Sequence, residues 1–201
     1  MKSKFLVIFA ISLISYVAKA QFAEKNWAYF SLGGVVGSHL GVSVSADYVY
    51  DNKYSLEIGW EQYIRSSQNK PDDFSSGLVN LFLLNLFEPF EQSDMVQLQG
   101  GRVFILNEKK SIRLNIMGGL AFTSIKDAFD FRVVDSPFLT DNYTYEYSKR
   151  NTISLLFSPR IEFATAYYGL SLSPKFIYNK DIIYFGLSLN HMIGVLRPKS
   201  E

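Results

Sequence analysis

Apolar and polar residues alternate one for one over stretches of about ten residues, separated by short polar turns. That period of two is the strongest constraint in the chain, because only an extended strand sends successive side chains to opposite faces. The clearest stretch is Leu40–Tyr50. Leu40, Val42, Val44, Ala46, Tyr48 and Tyr50 share one face, and Gly41, Ser43, Ser45, Asp47 and Val49 share the other. A turn at Asp51-Asn52-Lys53 follows. Tyr54, Leu56, Ile58 and Trp60 then oppose Ser55, Glu57, Gly59 and Glu61. The same pattern returns from Ile112 to Phe122, from Ile153 to Phe163, from Tyr168 to Phe176 and from Ile183 to Leu189. No window has a helical period.

Weaker strand signals cover Trp27–Val36, Leu78–Phe87 and Met95–Leu106. The last shifts phase near Gly100-Gly101, where a bulge is expected. The pattern yields about nine segments. A closed bacterial membrane barrel needs an even number. The expectation is eight strands, with ten as the alternative if Phe129–Val134 hides one more. Short turns are expected at Asp51–Lys53, Asn107–Lys110 and Asn179–Asp181, and longer connections at Arg65–Ser75 and Lys126–Arg150.

Residues 1–20 differ in kind. Lys2 and Lys4 precede an apolar run, Phe5–Val17, and Ala18-Lys19-Ala20 offers the small residues that a signal peptidase reads. The run is too short to span a bilayer as a helix, so a secretory signal cleaved after Ala20 is expected. Residues 21–201 are expected to form one barrel domain. The whole chain has 20 basic and 19 acidic residues, net +1; without Lys2, Lys4 and Lys19 it has 17 and 19, net −2. No basic excess remains to hold a nucleic acid. There is no cysteine, which excludes a disulfide framework, a thiolate metal site and a lipid-anchored N-terminus.

The decisive question is which face of the strands is wet. A soluble barrel turns its apolar face inward; a membrane barrel reverses the order. Here the polar face is lined by Gly41, Ser43, Ser45, Ser55, Gly59, Gly119, Gly169, Ser171, Ser173, Gly186 and Ser188, with few charges. Small residues suit the crowded lumen of a narrow barrel. The charges on that face have both signs. Asp47, Glu57, Glu61 and Glu162 are matched by Arg113, Arg160 and Lys175, a set that would pair within a closed interior. Tyr48, Tyr50, Tyr54, Trp60, Tyr168 and Tyr178 cap the apolar face where interfacial girdles would lie.

On these features the chain resembles the small OmpA/OmpX-like bacterial outer-membrane β-barrel family over nearly all of Trp27–Val195. The resemblance implies an all-β, closed antiparallel transmembrane barrel in the outer membrane. Its surroundings would be outer-membrane lipid and lipopolysaccharide, and the barrel-assembly machinery would insert it. Tyr184, Gly186, Leu189 and His191 resemble the spacing which that machinery reads in a closing strand. The tail Arg197-Pro198-Lys199-Ser200-Glu201 departs from the family, which usually ends on an aromatic residue.

Chemistry is sparse. The chain has two histidines, His39 and His191. His39 falls at a turn, and His191 on the apolar face near the end of the last strand. Lipid A deacylases carry a His-x-Ser-Asn arrangement; this chain reads Leu189-Asn190-His191-Met192-Ile193. No metal-ligand spacing occurs, and the glycine pairs lack the helix and Lys of a phosphate loop. The expectation is a barrel without enzymatic activity and without a cofactor, acting as a structural or interaction protein. Its informative surface is the connection at 126–150, rich in Phe and Tyr, which would receive a partner protein, a glycan or another cell's surface; the alternative is that the strands extend beyond the membrane there, as Asn142–Lys149 allows, with the aromatics stabilising the extension. The alternatives are a narrow channel and a soluble exported carrier.

Overall fold

The computed structural model describes residues 25–75, 88–134, 141–181 and 183–197. Eight strands follow one another around a closed antiparallel ring. They are β1 Trp27–Gly37, β2 Leu40–Tyr50, β3 Tyr54–Ser66, β4 Phe90–Ile105, β5 Ile112–Val133, β6 Tyr143–Ala164, β7 Tyr168–Tyr178 and β8 Ile183–Val195. β1 pairs with β2 on one side and with β8 on the other, so no edge is left open. Closure removes the unpaired N–H and C=O groups that lipid does not tolerate.

The pleat sorts side chains as the alternation predicts. Val44, Ile58, Ile116 and Leu187 are 43%, 58%, 39% and 43% exposed, whereas Glu57, Arg113 and Ser188 are at most 1% exposed. The barrel is therefore inverted: its outside is apolar and its inside polar. A water-soluble barrel of this pattern would have to expose every strand's Leu, Ile and Phe to solvent, far beyond the patches that soluble monomers carry.

The two ends differ. One carries the short turns at Asp51–Lys53, Leu106–Ser111 and Thr165–Tyr167, together with the start of β1 and the end of β8. Asp51 and Asn52 there have φ of 49° and 57°, which Asp and Asn tolerate better than most side chains. A 3.0 Å bond from Lys53 N to Tyr50 O closes that turn. The opposite end carries the longer connections together with the short Ser38-His39 and Asn179–Asp181 turns. Turns of similar composition thus lie at opposite ends of the barrel.

Two sequence expectations are corrected here. Gly100 and Gly101 do not make a bulge: both sit in unbroken register with β3 and β5. The phase shift is chemical. Val103 points inward and Arg102 outward, which mimics a change of face. The register shift in the wall lies instead between Phe129 and Arg132, with Asp130 at φ 54°. The second concerns Lys126–Arg150, where the extended-strand alternative holds and the long connection does not. Most of it is strand: β5 and β6 are 22 residues each and continue as a paired ribbon past the apolar band. Phe129–Val134 is the end of β5 rather than a separate strand. The strand expected at Leu78–Phe87 lies outside the described residues.

One stretch of the wall is thin. β6 and β7 pair at Leu155–Phe157 and again at Ile161–Ala164, and the register between them sets Pro159 opposite Pro174. Neither proline has an N–H to give the ladder. Ser173 Oγ takes over part of the role by donating to Pro159 O at 3.0 Å.

Candidate functional site

Two features stand out: what fills the lumen, and what stands above the membrane band.

The lumen is filled in three layers. At the turn-bearing end, Trp27, Tyr29, Val49, Val103, Ala164, Met192 and Leu196 form one apolar cluster. Towards the loop-bearing end, Val35, Tyr63, Met95, Ala121, Ile125, Leu156, Ile177 and Tyr184 form another. Charged groups occupy the space between. All seven charged residues read from the polar face lie there, each at most 5% exposed. Arg160 Nη1 reaches Asp47 Oδ1 at 2.9 Å, its Nη2 contacts Glu57 Oε2, and Glu162 Oε1 lies 3.9 Å away. Arg113 pairs with Glu162 at 2.5 Å, and the two are direct register partners on β5 and β6. Lys175 pairs with Glu61.

Neutral groups complete the layer. Ser31 and Ser45 donate to Asp47 at 2.7 and 3.0 Å. Gln97 and Gln99 donate to Glu57 at 2.8 and 2.9 Å, and Tyr29 donates to Glu162 at 3.1 Å. Each buried carboxylate thereby gains donors beyond its cation, which a dry ionic interior requires. Small residues make room for the larger ones. A Cβ at Gly186 would stand 2.0 Å from Tyr184 Oη, and one at Gly119 would stand 2.1 Å from the Leu98 carbonyl.

Several members of this interior escape sequence reasoning. Gln97 and Gln99 lie in the segment whose face is ambiguous. Trp27 stacks under Arg113, whose guanidinium carbon is 4.3 Å from the ring centroid. Leu196, just past β8, tucks under the barrel, and its carbonyl accepts a 2.6 Å bond from Arg113 Nη1. At the opposite rim, Glu91 takes Arg65 at 2.6 Å and His39 at 3.5 Å. Glu91 lies beyond the apolar band, on a strand whose outward residues there are Gln92 and Asp94. Burial alone would raise its pKa, but hydrogen bonds from His39 and Arg65 and the Arg65 charge outweigh that and hold it below the usual Glu range.

The histidines divide as their positions suggest. His39 is buried. His191 faces outward near the turn-bearing end, its Nδ1 2.7 Å from Tyr168 Oη. No group of three or more His, Cys, Asp or Glu residues able to hold a metal occurs among the described residues.

Above the band, the β5–β6 ribbon rises beyond Phe122 and Ile153. At a strand rise of ~3.3 Å and a tilt of ~40°, eleven further residues project by about 28 Å. Residues 67–75 are stapled against it. Ser67 Oγ and Asn69 Nδ2 bond Asp127 at 2.7 and 2.8 Å. Tyr143 Oη bonds both carboxylate oxygens of Asp73, at 2.8 and 2.9 Å. Asn142 Nδ2 bonds Asp73 O at 2.9 Å, and its Oδ1 accepts from Ser75 N at 2.7 Å.

Rings fill the joint. Phe74 stacks on Tyr143 at 6.2 Å, Phe131 meets Tyr145 at 5.4 Å, and Phe90 meets Tyr147 at 5.4 Å. Lys126 Nζ sits 4.1 Å over the Tyr147 ring. The hydrogen bond to Asp73 raises the Tyr143 pKa, and burial followed by Tyr147 pushes Tyr145 up to about 12. Phe129, Val133 and Tyr147 stay exposed along the ribbon. The result is an aromatic, mixed-charge platform held on the paired strands β5 and β6.

An inverted, eight-stranded closed barrel with a filled polar lumen is the architecture of small membrane β-barrels. Comparison with solved structures agrees. The N-terminal β-barrel domain of Pseudomonas aeruginosa OprF superposes with a TM-score of 0.55 at 10% identity, covering 85% of this chain and 98% of that one. Ail, the attachment invasion locus protein of Yersinia pestis, gives 0.47 at 12% identity, covering 85% and 98%. Neisserial surface protein A gives 0.45 at 11% identity, covering 85% and 93%. The match to the OprF domain shows a shared fold. No family model and no curated protein matches the chain.

Proposed function

We propose that this chain is an outer-membrane barrel without catalytic activity that presents its β5–β6 platform to a macromolecular partner outside the cell. In this reading residues 1–20 are a signal removed after Ala20, and residues 21–201 enter the outer membrane through the barrel-assembly machinery. Lipopolysaccharide then surrounds the loop-bearing end. The orientation follows from the ends, since short turns face the periplasm and longer loops face outward in such barrels. The lumen charges act as a structural plug.

The observation that carries the reading is the stapled aromatic ribbon. Its rings are organised by segment 67–75 well beyond the band, where lipid contact does not explain them. Aromatic residues, with Arg, are the usual anchors of protein recognition. The channel alternative is opposed by two apolar layers enclosing an ionic one. The soluble carrier is opposed by the exposed apolar exterior.

The test is photo-cross-linking in native membranes from positions 129, 133 and 147. A discrete macromolecular adduct is expected there, and lipid adducts alone from position 58. Lipid adducts alone from the ribbon would refute the platform reading. A steady current through the purified barrel in a planar bilayer would refute the plug.

A further inference from the structure

Charge is distributed unevenly along the barrel. Among the described residues, the turn-bearing end holds Lys25, Lys53, Arg102, Lys109, Lys110 and Arg197 against Asp51 and Glu108. Three of these cations converge. Lys53, Arg102 and Lys110 line one open cleft of about 460 Å³ between the first two turns, together with Asp51, Asn52 and Phe104. The one carboxylate in the cleft, Asp51, is engaged by Lys53 at 3.5 Å in an exposed pair.

Arg102 is the telling member. It points outward from β4, with Tyr54 of β3 and Ile116 of β5 as its register neighbours. An arginine on the lipid face is costly at the midplane and tolerated near the interface. Its guanidinium lies 5.5 Å from the Phe104 ring centroid. Among the described residues no carboxylate lies within ion-pair distance of Arg102 or Lys110.

We propose that this cleft binds the phosphate of an anionic glycerophospholipid of the periplasmic leaflet. Arg102 and Lys110 hold the phosphodiester, which suits a guanidinium fork. The acyl chains run up the adjacent lipid-facing surface past Phe104 and Ile116. A free phosphate ion has the same headgroup chemistry. The cleft lies directly below the apolar band, however, so it favours a ligand whose head and tails meet the protein together. The proposal rests on the membrane reading above, in the orientation that puts the turns at the inner leaflet.

The test uses the full mature chain refolded into phosphatidylcholine vesicles containing a minor fraction of phosphatidylglycerol. Lipid retained after detergent extraction is read by native mass spectrometry. The unaltered chain is expected to retain phosphatidylglycerol over phosphatidylcholine. The Arg102→Gln/Lys110→Gln variant is expected to lose that preference about tenfold, equivalent to ~1.4 kcal/mol. Lys180→Gln, at the opposite rim and outside the ribbon, is expected to keep it.

Heat-modifiable gel migration checks that each variant is folded. Equal retention by folded Arg102→Gln/Lys110→Gln, or no selectivity in the unaltered chain, overturns the lipid site. Displacement of the lipid by excess inorganic phosphate overturns it in favour of a free-anion site. Failure of the unaltered chain to insert into vesicles overturns the membrane reading itself, and the cleft proposal with it.

Discussion

Replacing Arg160 with Met tests whether the interior is dry. Arg160 is 2% exposed, and the carboxylates it serves, Asp47 and Glu57, are 3% and 1% exposed. Removing the cation leaves two buried anions sharing one region of the lumen, with only Ser and Gln donors. Breaking a buried ion pair by deleting one partner costs about 3–5 kcal/mol. Folding stabilities are typically ~5–15 kcal/mol, so the loss is a large share of the total. The assay is urea unfolding of the refolded barrel in lipid vesicles, followed by the gel shift between folded and heat-denatured forms. Arg160→Met is expected to lower stability by about 3–5 kcal/mol. Adding Asp47→Asn and Glu57→Gln to the same chain removes both stranded charges and is expected to recover most of the loss. A loss under ~1 kcal/mol for Arg160→Met alone would refute the reasoning, because that is the range of solvated pairs.

Three further outcomes follow from the geometry. The chain has two tryptophans, Trp27 inside and Trp60 on the lipid face, 0% and 40% exposed; brominated lipid should quench the emission of Trp27→Phe and spare that of Trp60→Phe. Gly186→Ala should cost ~1–3 kcal/mol, the usual range for overpacking, because Tyr184 must leave its place; urea unfolding of the variant against the unaltered barrel checks this. Glu91 has a depressed pKa in the folded state, so its contribution is present above its ordinary value of 4.5 and is lost as pH falls through the lower folded value. The stability gap between the unaltered chain and Glu91→Gln should therefore narrow below that pH, and a gap unchanged on acidification would contradict the Arg65–Glu91–His39 geometry.

Much of the wall was legible because parity does the work. In β2, from Leu40 to Tyr50, every second residue is apolar, and knowing one side chain's face assigns all the others. The same parity put Asp47, Glu57, Glu61, Arg113, Arg160, Glu162 and Lys175 on one face. Their partners were not legible. Arg160 meets Asp47 and Glu57 across the lumen, a contact that exists only once the ring closes. β4 misled because Arg102 and Val103 exchange the chemistry of the two faces near a membrane edge, where both environments are mixed. The ribbon of β5 and β6 was half legible for a related reason. Phe129, Phe131 and Val133, and Tyr143, Tyr145 and Tyr147, alternate with polar residues, but beyond the band neither face meets lipid, so the alternation there does not by itself tell wall from loop. Leu196 was missed because nothing in a tail's sequence announces that its carbonyl will cap an arginine across the barrel.

That cap ties the interior to the seam of the ring. Trp27 opens the first strand and Leu196 follows the last, so the two halves of the cover over Arg113 come from the extremities of the folded wall. They can meet only after β1 and β8 have zipped together. Without that seam the guanidinium would lose both sides of its cover, so the dryness of this end of the lumen and the joining of β1 to β8 stand or fall together.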